Sequence, residues 1–276
     1  MKPTGKILLY DDYCPLCTWY SSLFVRCGLL EPGNRVAFSK ADLSVLTAID
    51  IEKGKDEIPL FDPATGKTVY GIDSLLEILG QKVPCIPKIG NTPCVKWVLK
   101  KIYKLVSFNR KVIVARKCGP GAFDCSPGFD AFYRTAFLIL FLLFNSLMIF
   151  PIHDHLLSHL SFYQLNSAQL QWAHLTFVAV NCFLALLVEK RTAIEYLGQV
   201  NMLATISVLL LTLLMIVNLA LKMADWFIFL LLVTLTAFII KEYGRRMKYA
   251  GVLNRHKTIA FINIVSLVIF LGYIFH

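Results

Sequence analysis

The chain has 276 residues, 57% of them hydrophobic, and a mean hydropathy of +0.62. This composition is too apolar for one soluble domain and indicates a membrane protein. The net charge is +10, and it is unevenly placed, because residues 78–123 carry ten Lys or Arg and no Asp or Glu. Residues 1–20 lack the pattern of a cleavable signal peptide, so we expect none.

The N-terminal region contains a paired-cysteine motif between two predicted elements. A short apolar run, Lys6–Tyr10, precedes Cys14-Pro15-Leu16-Cys17, and residues 18–30 place apolar side chains at mostly helical spacing. We therefore predict a strand and then a helix, with the cysteines at their junction. A helix N-terminus favours negative charge, so a Cys14 thiolate would be stabilised and its pKa lowered. Cys17, one turn later, would resolve a mixed disulfide formed at Cys14.

The same motif has a second interpretation, as half of a zinc knuckle. The chain has no second CxxC pair, and the strand before the motif with the helix after it favours a redox site. Asp11 and Asp12 stand just before the motif. A carboxylate there could accept or relay a cysteine proton, although it would also raise the pKa of a nearby thiol. The alternative is an ordinary turn or N-cap acid.

Residues 1–80 alternate strands and helices in the order β-α-β-α-β-β-α, which is that of a thioredoxin-like fold. A hairpin turn with strong turn residues joins the last two strands. We expect Asp73 or Ser74 to cap the last helix. After the first strand and the cysteine helix, the predicted elements are a strand at 35–39, a helix at 41–51, strands at 58–61 and 67–70, and a helix at 75–79.

Asp11-x-x-Cys14-x-x-Cys17 after an apolar strand resembles the signature of the thiol-disulfide oxidoreductase DCC family, a thioredoxin-like group. Two later segments are also similar to that family: Val69-Tyr70-Gly71-Ile72-Asp73-Ser74, and Ile102-Tyr103-Lys104-Leu105 followed by Asn109-Arg110. The resemblance covers about the first half of the chain. It implies a thioredoxin-like domain with Cys14 and Cys17 as the redox pair and a functional role for Asp11. It implies a reaction class and no particular substrate.

Pro59 is a further candidate site residue. In the thioredoxin-like fold, a proline at the start of the third sheet strand commonly faces the active cysteines in the cis form. Pro59 is the only proline that opens a predicted strand after the CxxC motif. The alternative is an ordinary trans proline of an edge strand, because X–Pro bonds are mostly trans.

Residues 81–131 form a basic connector. Its predicted helix, 94–107, is amphipathic, and it either lies on the membrane or covers the sheet of the first domain. Nucleic acid is one class of partner that such a basic block could bind. A basic segment just before membrane spans is better explained by anionic lipid headgroups and by topology, so we expect no nucleic acid partner. The apolar positions of the helix are Val95, Val98, Leu99, Ile102, Leu105 and Val106.

Two other clusters could bind metal. The first consists of four cysteines that flank the connector helix: Cys85, Cys94, Cys118 and Cys125. Their spacing lacks the tight pairs of known zinc knuckles, so free thiols are expected, with a zinc site or a second redox pair as alternatives. The second is a loop with three histidines: His153, His155 and His159. Copper or zinc binding is the alternative there to a solvated loop.

Residues 132–276 contain five apolar stretches near the length of a membrane span. Lys and Arg are concentrated in alternate loops, which by the positive-inside rule places the first domain in the cytoplasm and the C-terminus outside the inner membrane. Polar span residues usually bond other helices, although they could contact a quinone. The stretches are Thr135–Pro151, Trp172–Val188, Val200–Leu221, Trp226–Ile240 and Thr258–Phe275, and their polar residues include His174, Asn181, Asn201, Asn218 and Asn263.

These features predict a multi-pass membrane enzyme whose cytosol-facing, thioredoxin-like domain performs thiol-disulfide exchange. Its partners would be the lipid bilayer and a disulfide- or thiol-containing protein, which could itself be membrane-bound. The chemistry needs no dissociable cofactor. The alternatives are a quinone-linked membrane redox protein, a zinc-binding anchor or assembly factor, and a transporter-like bundle with a redox sensor.

Overall fold

The computed structural model describes residues 5–116 and 127–274, so Cys118, Cys125 and the C-terminal His276 lie outside the described residues. The chain divides into two compact units, Met1–Arg134 and Thr135–His276. The first contains a small mixed sheet with helices around it, and the second is helical. Each is described separately below.

The sheet of the first unit has four strands in the order β2-β1-β3-β4. Strand β1 pairs in parallel with β2 and antiparallel with β3, and β3 pairs antiparallel with β4. All four predicted strands are confirmed, with bounds that differ by two residues at most. The strands are β1 (Ile7–Tyr10), β2 (Arg35–Ala37), β3 (Pro59–Asp62) and β4 (Lys67–Tyr70).

Both faces of the sheet are covered, which explains the continuous apolar run of β1. Successive side chains of a strand point to opposite faces. Leu8 therefore packs with Phe24 and Ile78 on one face, whereas Ile7 and Leu9 pack on the other. The helices of this unit are α1 (Pro15–Arg26), α2 (Leu43–Thr47), α3 (Ile51–Asp56), α4 (Ile72–Gly80), α5 (Cys85–Gly90) and α6 (Pro93–Val114).

Two local predictions for this unit are wrong. The single helix expected over residues 41–51 is replaced by α2 and α3, because Asp50 starts a new helix by accepting the Lys53 N–H. The cap expected from Asp73 or Ser74 is also absent, since α4 begins at Ile72 after Gly71, whose φ is +63°. The Ser74 hydroxyl instead lies 2.9 Å from the Ile58 carbonyl oxygen and ties α4 to the sheet.

Helix α6 packs on the first unit, but mainly through polar contacts and not through its predicted apolar face. The Tyr103 hydroxyl accepts the Ile58 N–H at 2.8 Å, the Ser107 hydroxyl donates to the Asp56 carbonyl, and Lys96 pairs with Asp73. Most of the predicted apolar face is exposed at Val95, Val98, Ile102 and Val106. The segment before Pro59 is thus held by polar contacts, and an apolar stripe remains on the surface.

The second unit is a bundle of long apolar helices. Among the described residues, four helices are long and apolar enough to cross a membrane, and a fifth apolar helix, Lys257–Tyr273, is shorter. In each of the four long helices, at most 39% of the residues in the most apolar stretch are buried within the protein. The remaining apolar residues suit a surface that faces lipid. The helices are α7 (Ala131–His155), α8 (Ser167–Leu186), α9 (Lys190–Leu221), α10 (Asp225–Tyr249), α11 (Val252–Arg255) and α12 (Lys257–Ile274).

Polar residues in the bundle mostly bond neighbouring helices, as predicted. His174 of α8 lies 3.1 Å from the Ser146 hydroxyl of α7, and Asn181 of α8 accepts a hydrogen bond from Asn263 of α12. Asn201 of α9 likewise accepts from α7. Asn218 is the exception, because it accepts the Met223 N–H and closes the end of α9.

Candidate functional site

The two cysteines lie where the sequence places them, between a strand and a helix. Cys14 precedes α1 as its N-cap residue, and Pro15 occupies the first helical turn. The backbone N–H of Cys17 points at Cys14 Sγ, with the nitrogen and sulfur 3.5 Å apart. Cys14 Sγ therefore takes the position that a capping oxygen usually occupies, where free N–H groups stabilise negative charge.

Asp11 completes a compact group with the two cysteines. A carboxylate oxygen of Asp11, the Sγ of Cys14 and the Sγ of Cys17 all lie within 4.8 Å of one another. Asp11 Oδ1 accepts the N–H of Tyr13 at 3.0 Å, which orients the side chain in the turn. All three residues are buried, with exposed fractions of 3%, 1% and 2%. The sheet end and the start of α1 thus bring these three predicted site residues together.

Two buried cations from α6 complete the site. Arg110 Nη1 lies 3.8 Å from Cys17 Sγ, and Arg110 Nη2 donates to the Lys55 carbonyl at 2.6 Å. Asp11 Oδ2 is 3.8 Å from Lys111 Nζ and 4.0 Å from Arg110 Nη2. Sequence reasoning did not assign these residues to the site. The feature of the sequence that could have pointed to Arg110 is the Asn109-Arg110 pair, which belongs to the segment that resembles the DCC family.

The surroundings give the two thiols opposite properties. The pKa of Cys14 is lowered to about 6, first by a hydrogen bond from the Cys17 thiol and then by the Cys17 N–H and the Arg110 charge. Burial and Asp11 oppose this shift without cancelling it. The pKa of Cys17 is raised, because its proton is held by Cys14 and its side chain is buried. These opposite shifts favour a Cys14 thiolate beside a Cys17 thiol at neutral pH.

We expect alkylation of Cys14 by iodoacetamide to follow a titration with its midpoint near pH 6. Only the thiolate reacts, so below the midpoint the rate falls about tenfold for each pH unit. The measurement is mass spectrometry of the Cys14 peptide over a range of pH. The urea-unfolded chain is the control, and its midpoint should return to about 8.5. A folded-state midpoint near that value, or faster reaction of Cys17 at pH 7, would contradict the assignment.

Pro59 lies at the same end of the sheet as the cysteines, because β3 is antiparallel to β1 and starts where β1 ends. Its peptide bond is trans, as are all those in the described residues, so the cis alternative is wrong. The preceding segment is held by α6, since Arg110 binds the Lys55 carbonyl and Tyr103 binds the Ile58 N–H. Pro59 is thus a buried sheet residue at the edge of the site.

Asp12 belongs to the local loop. Its carboxylate accepts a hydrogen bond from the Ser39 hydroxyl at 2.8 Å, which ties the motif to the segment that follows β2. In the described part of the chain, Asp12 is not a member of the group formed by Asp11, Cys14 and Cys17. Of the two neighbouring acids, Asp11 is the one that lies beside the thiols.

The other candidate metal ligands do not come together in the described residues. Cys85 and Cys94 are exposed free thiols, and Cys118 and Cys125 lie outside the described residues. His153 is held by Asp154 and by the Leu165 carbonyl, so its two ring nitrogens serve the local structure. The described residues contain one group of three ligands within bonding reach of a metal ion, namely Asp11, Cys14 and Cys17.

Zinc at that group would be opposed by its surroundings. A dication prefers anionic ligands without nearby cations, whereas Arg110 and Lys111 lie within 4.0 Å of these ligand atoms. The positive charge of Arg110, by contrast, favours a thiolate on either cysteine. Comparison with family models, curated proteins and solved structures found no match for this chain. The choice between metal binding and redox chemistry therefore depends on the geometry and charge of the site.

Proposed function

We propose that this protein is a membrane-anchored thiol-disulfide oxidoreductase. The observation that carries the proposal is the Cys14 sulfur at the N-terminus of α1, which accepts hydrogen bonds from Cys17 and has a lowered pKa. A thiolate nucleophile with a protonated thiol one turn away is the arrangement that disulfide exchange requires. Cys14 is the attacking residue and Cys17 the resolving residue.

The reaction has two exchange steps. The Cys14 thiolate attacks one sulfur of a substrate disulfide, so that a Cys14–substrate bond forms and the substrate S–S bond breaks. The departing substrate thiolate takes up a proton. Cys17 then loses its proton and attacks Cys14 Sγ, which releases the second substrate thiol. The substrate gains two electrons, and the Cys14–Cys17 pair is left as a disulfide that a cellular thiol reduces again.

Three other residues assist the thiols in this proposal. Asp11 lies close enough to both sulfurs to receive the Cys17 proton when that residue attacks. Arg110 holds negative charge on whichever sulfur carries it, since its charge lowers the pKa of both cysteines. Pro59 would shape the end of the sheet, next to the cysteines, against which a substrate chain lies.

A thioredoxin-like fold for the first unit is part of the proposal. Its support is the chain order of elements, in which β1, α1, β2, the short helices α2 and α3, β3, β4 and α4 follow one another.

The burial of the two cysteines sets a condition on the exchange reaction, because Cys14 is 1% exposed and Cys17 is 2% exposed. Exchange needs direct contact of sulfur atoms, so the residues that cover the pair must move when a protein disulfide binds.

The proposed partners are a disulfide- or thiol-containing protein and the lipid bilayer. Helix α6 presents an exposed apolar stripe beside a basic surface, and Trp97 on it is 64% exposed. Such a surface suits the interface of an anionic membrane, where the apolar side chains insert and the lysines meet headgroups. This location would favour substrates that are themselves membrane-bound, and it gives nucleic acid no role.

We expect an inner-membrane topology with five spans, a cytoplasmic N-terminus and an external C-terminus. The loop after the second predicted span carries Lys190 and Arg191, and residues 241–257 carry six Lys or Arg, whereas residues 152–171 carry none. Positive loops remain inside. Reporter fusions at residues 160 and 276 should both report outside. A cytoplasmic signal from residue 276 alone would leave only the four longer helices as spans.

The zinc content and the thiol oxidation of the full-length protein distinguish an oxidoreductase from a zinc-binding anchor. We expect protein purified under reducing conditions to contain far less than one zinc per chain. Oxidised glutathione should convert Cys14 and Cys17 to an intramolecular disulfide, and reduced glutathione should restore the thiols. One tightly held zinc per chain that is released when the thiols are alkylated would support the anchor instead.

A further inference from the structure

The C-terminal turns of α6 pack against the thiol pair. Arg110 Nη1 lies 3.8 Å from Cys17 Sγ, and Lys111 Nζ lies 3.8 Å from Asp11 Oδ2. These two residues of α6 are themselves buried, since Arg110 is 7% exposed and Lys111 is 3% exposed. Helix α6 therefore contributes to the burial of the thiol pair.

The contacts that hold α6 in this place are mostly polar. The Tyr103 hydroxyl accepts the Ile58 N–H at 2.8 Å, and the Lys96 ammonium group pairs with Asp73 at 2.6 Å. When a helix separates from its neighbours, water can replace hydrogen bonds and ion pairs, but it cannot replace the apolar contacts of a core. The attachment of α6 thus depends on hydrogen bonds and charges. Four of the five buried residues of α6 are polar or charged, namely Ser107, Asn109, Arg110 and Lys111, and the fifth is Val112.

The charges at this contact change with the redox state of Cys14. In the reduced pair, the lowered pKa of Cys14 favours a thiolate, and the Arg110 charge is one cause of that shift. By linkage, the same attraction makes the thiolate hold Arg110 in place. Cys14 is neutral in a disulfide, so Arg110 then stays buried with one negative charge fewer beside it. A buried charge that loses a counter-charge is strongly destabilised, and the closed position of α6 becomes less stable.

We propose that the C-terminal half of α6, residues 103–114, is a redox-sensitive cover of the thiol pair, closed over a Cys14 thiolate and released when Cys14 enters a disulfide. This inference rests on the proposed function, which gives the pair its two redox states. Both cysteines are free in the structure, which corresponds to the closed form. The closed cover protects the thiolate from small oxidants. The released cover opens the disulfide to the cellular thiol that reduces it, because exchange needs contact of sulfur atoms.

Oxidised glutathione changes the state of the pair in two exchange steps. The Cys14 thiolate attacks one glutathione sulfur, so that a mixed disulfide forms and a glutathione thiolate leaves and takes up a proton from the solvent. Cys17 then gives up its proton and attacks Cys14 Sγ, and the second glutathione leaves as a thiol. The pair loses two electrons, glutathione gains them, and the negative charge of Cys14 is removed from the site.

Hydrogen exchange of the full-length protein in lipid nanodiscs tests the cover. Backbone amide exchange is followed by mass spectrometry at pH 7 for the reduced protein and for protein oxidised by glutathione. We expect residues 103–114 to exchange at least about tenfold faster in the oxidised protein, because loss of one charge interaction in a buried site shifts the opening equilibrium. Peptides from β1 and β3 should exchange equally in both states. If protein that carries the disulfide shows unchanged exchange at residues 103–114, or faster exchange in the strands as well, the proposal is overturned.

Variants of Cys14 separate the effect of charge from the disulfide chemistry. Cys14→Ser removes the thiolate charge without oxidation and should give the fast exchange of residues 103–114. Cys14→Asp restores a negative charge at the same position and should give the slow exchange of the reduced native protein. Cys27→Ser is the matched control and should exchange like the native protein, since Cys27 lies at the other end of α1. Equal exchange rates in the serine and aspartate variants of Cys14 would overturn the charge-dependent cover.

The two sets of measurements keep this inference distinct from the proposed function. If glutathione does not form the Cys14–Cys17 disulfide, the proposed function fails, and the Cys14 variants still decide whether the cover responds to charge. If a Cys14 variant does not fold, the comparison of reduced and oxidised native protein decides.

Discussion

Replacing Cys14 with serine is expected to reduce disulfide reductase turnover to the uncatalysed background. Exchange depends on a thiolate, and a serine hydroxyl is not ionised near neutral pH, so no mixed disulfide can form. The expected loss is at least about a thousandfold, because removal of an activated nucleophile abolishes the step that it performs. The measurement is reduction of insulin disulfides by purified full-length protein in the presence of a thiol reductant.

Replacing Cys17 with serine should have a different outcome. The first exchange still occurs, but the mixed disulfide at Cys14 persists, and the trapped protein can be identified by mass spectrometry. Cys27→Ser is the matched control, since Cys27 is an exposed free thiol at the other end of α1. It should retain native turnover and trap nothing. Trapping by Cys14→Ser rather than Cys17→Ser would reverse the two assigned roles.

Replacing Arg110 with methionine is expected to raise the pKa of Cys14 above its native value of about 6. The guanidinium lies 3.8 Å from Cys17 Sγ, and its charge stabilises a thiolate on either sulfur of the pair. At pH 6 the thiolate fraction of Cys14 should therefore fall, and with it the alkylation rate. At pH 9 the variant and the native protein should react at similar rates.

Two variants distinguish charge from structural support. Arg110→Lys keeps a positive charge and should recover part of the pKa shift, although it loses the fork geometry that also binds the Lys55 carbonyl. Lys104→Met removes a charge from the same helix, where Lys104 faces Glu57 at 3.8 Å, and should leave the Cys14 titration unchanged. If the Arg110→Met protein folds and its Cys14 titration is unaltered, then Arg110 does not tune the thiol, and its role is limited to the hydrogen bond with the Lys55 carbonyl.

Some features of the fold depend only on residues that are neighbours in the chain, and these features could be predicted from the sequence. The strand before the CxxC motif, the helix after it and the hairpin between β3 and β4 all follow from hydrophobic period and turn residues. The long apolar helices follow from the length and composition of uninterrupted apolar segments. These features are short in range, so the residues that specify them are adjacent in the chain.

Other features required the folded chain. Arg110 lies 93 residues from Cys17, and no local pattern indicates that α6 carries it to the thiols. The inward polar face of α6, the burial of both cysteines and the trans bond at Pro59 likewise depend on which surfaces meet. The same holds for the hydrogen bonds between asparagines of the bundle, such as that from Asn263 to Asn181, because the two partners lie on different helices. Contacts between distant residues are set by the packing of whole elements, which composition and periodicity do not encode.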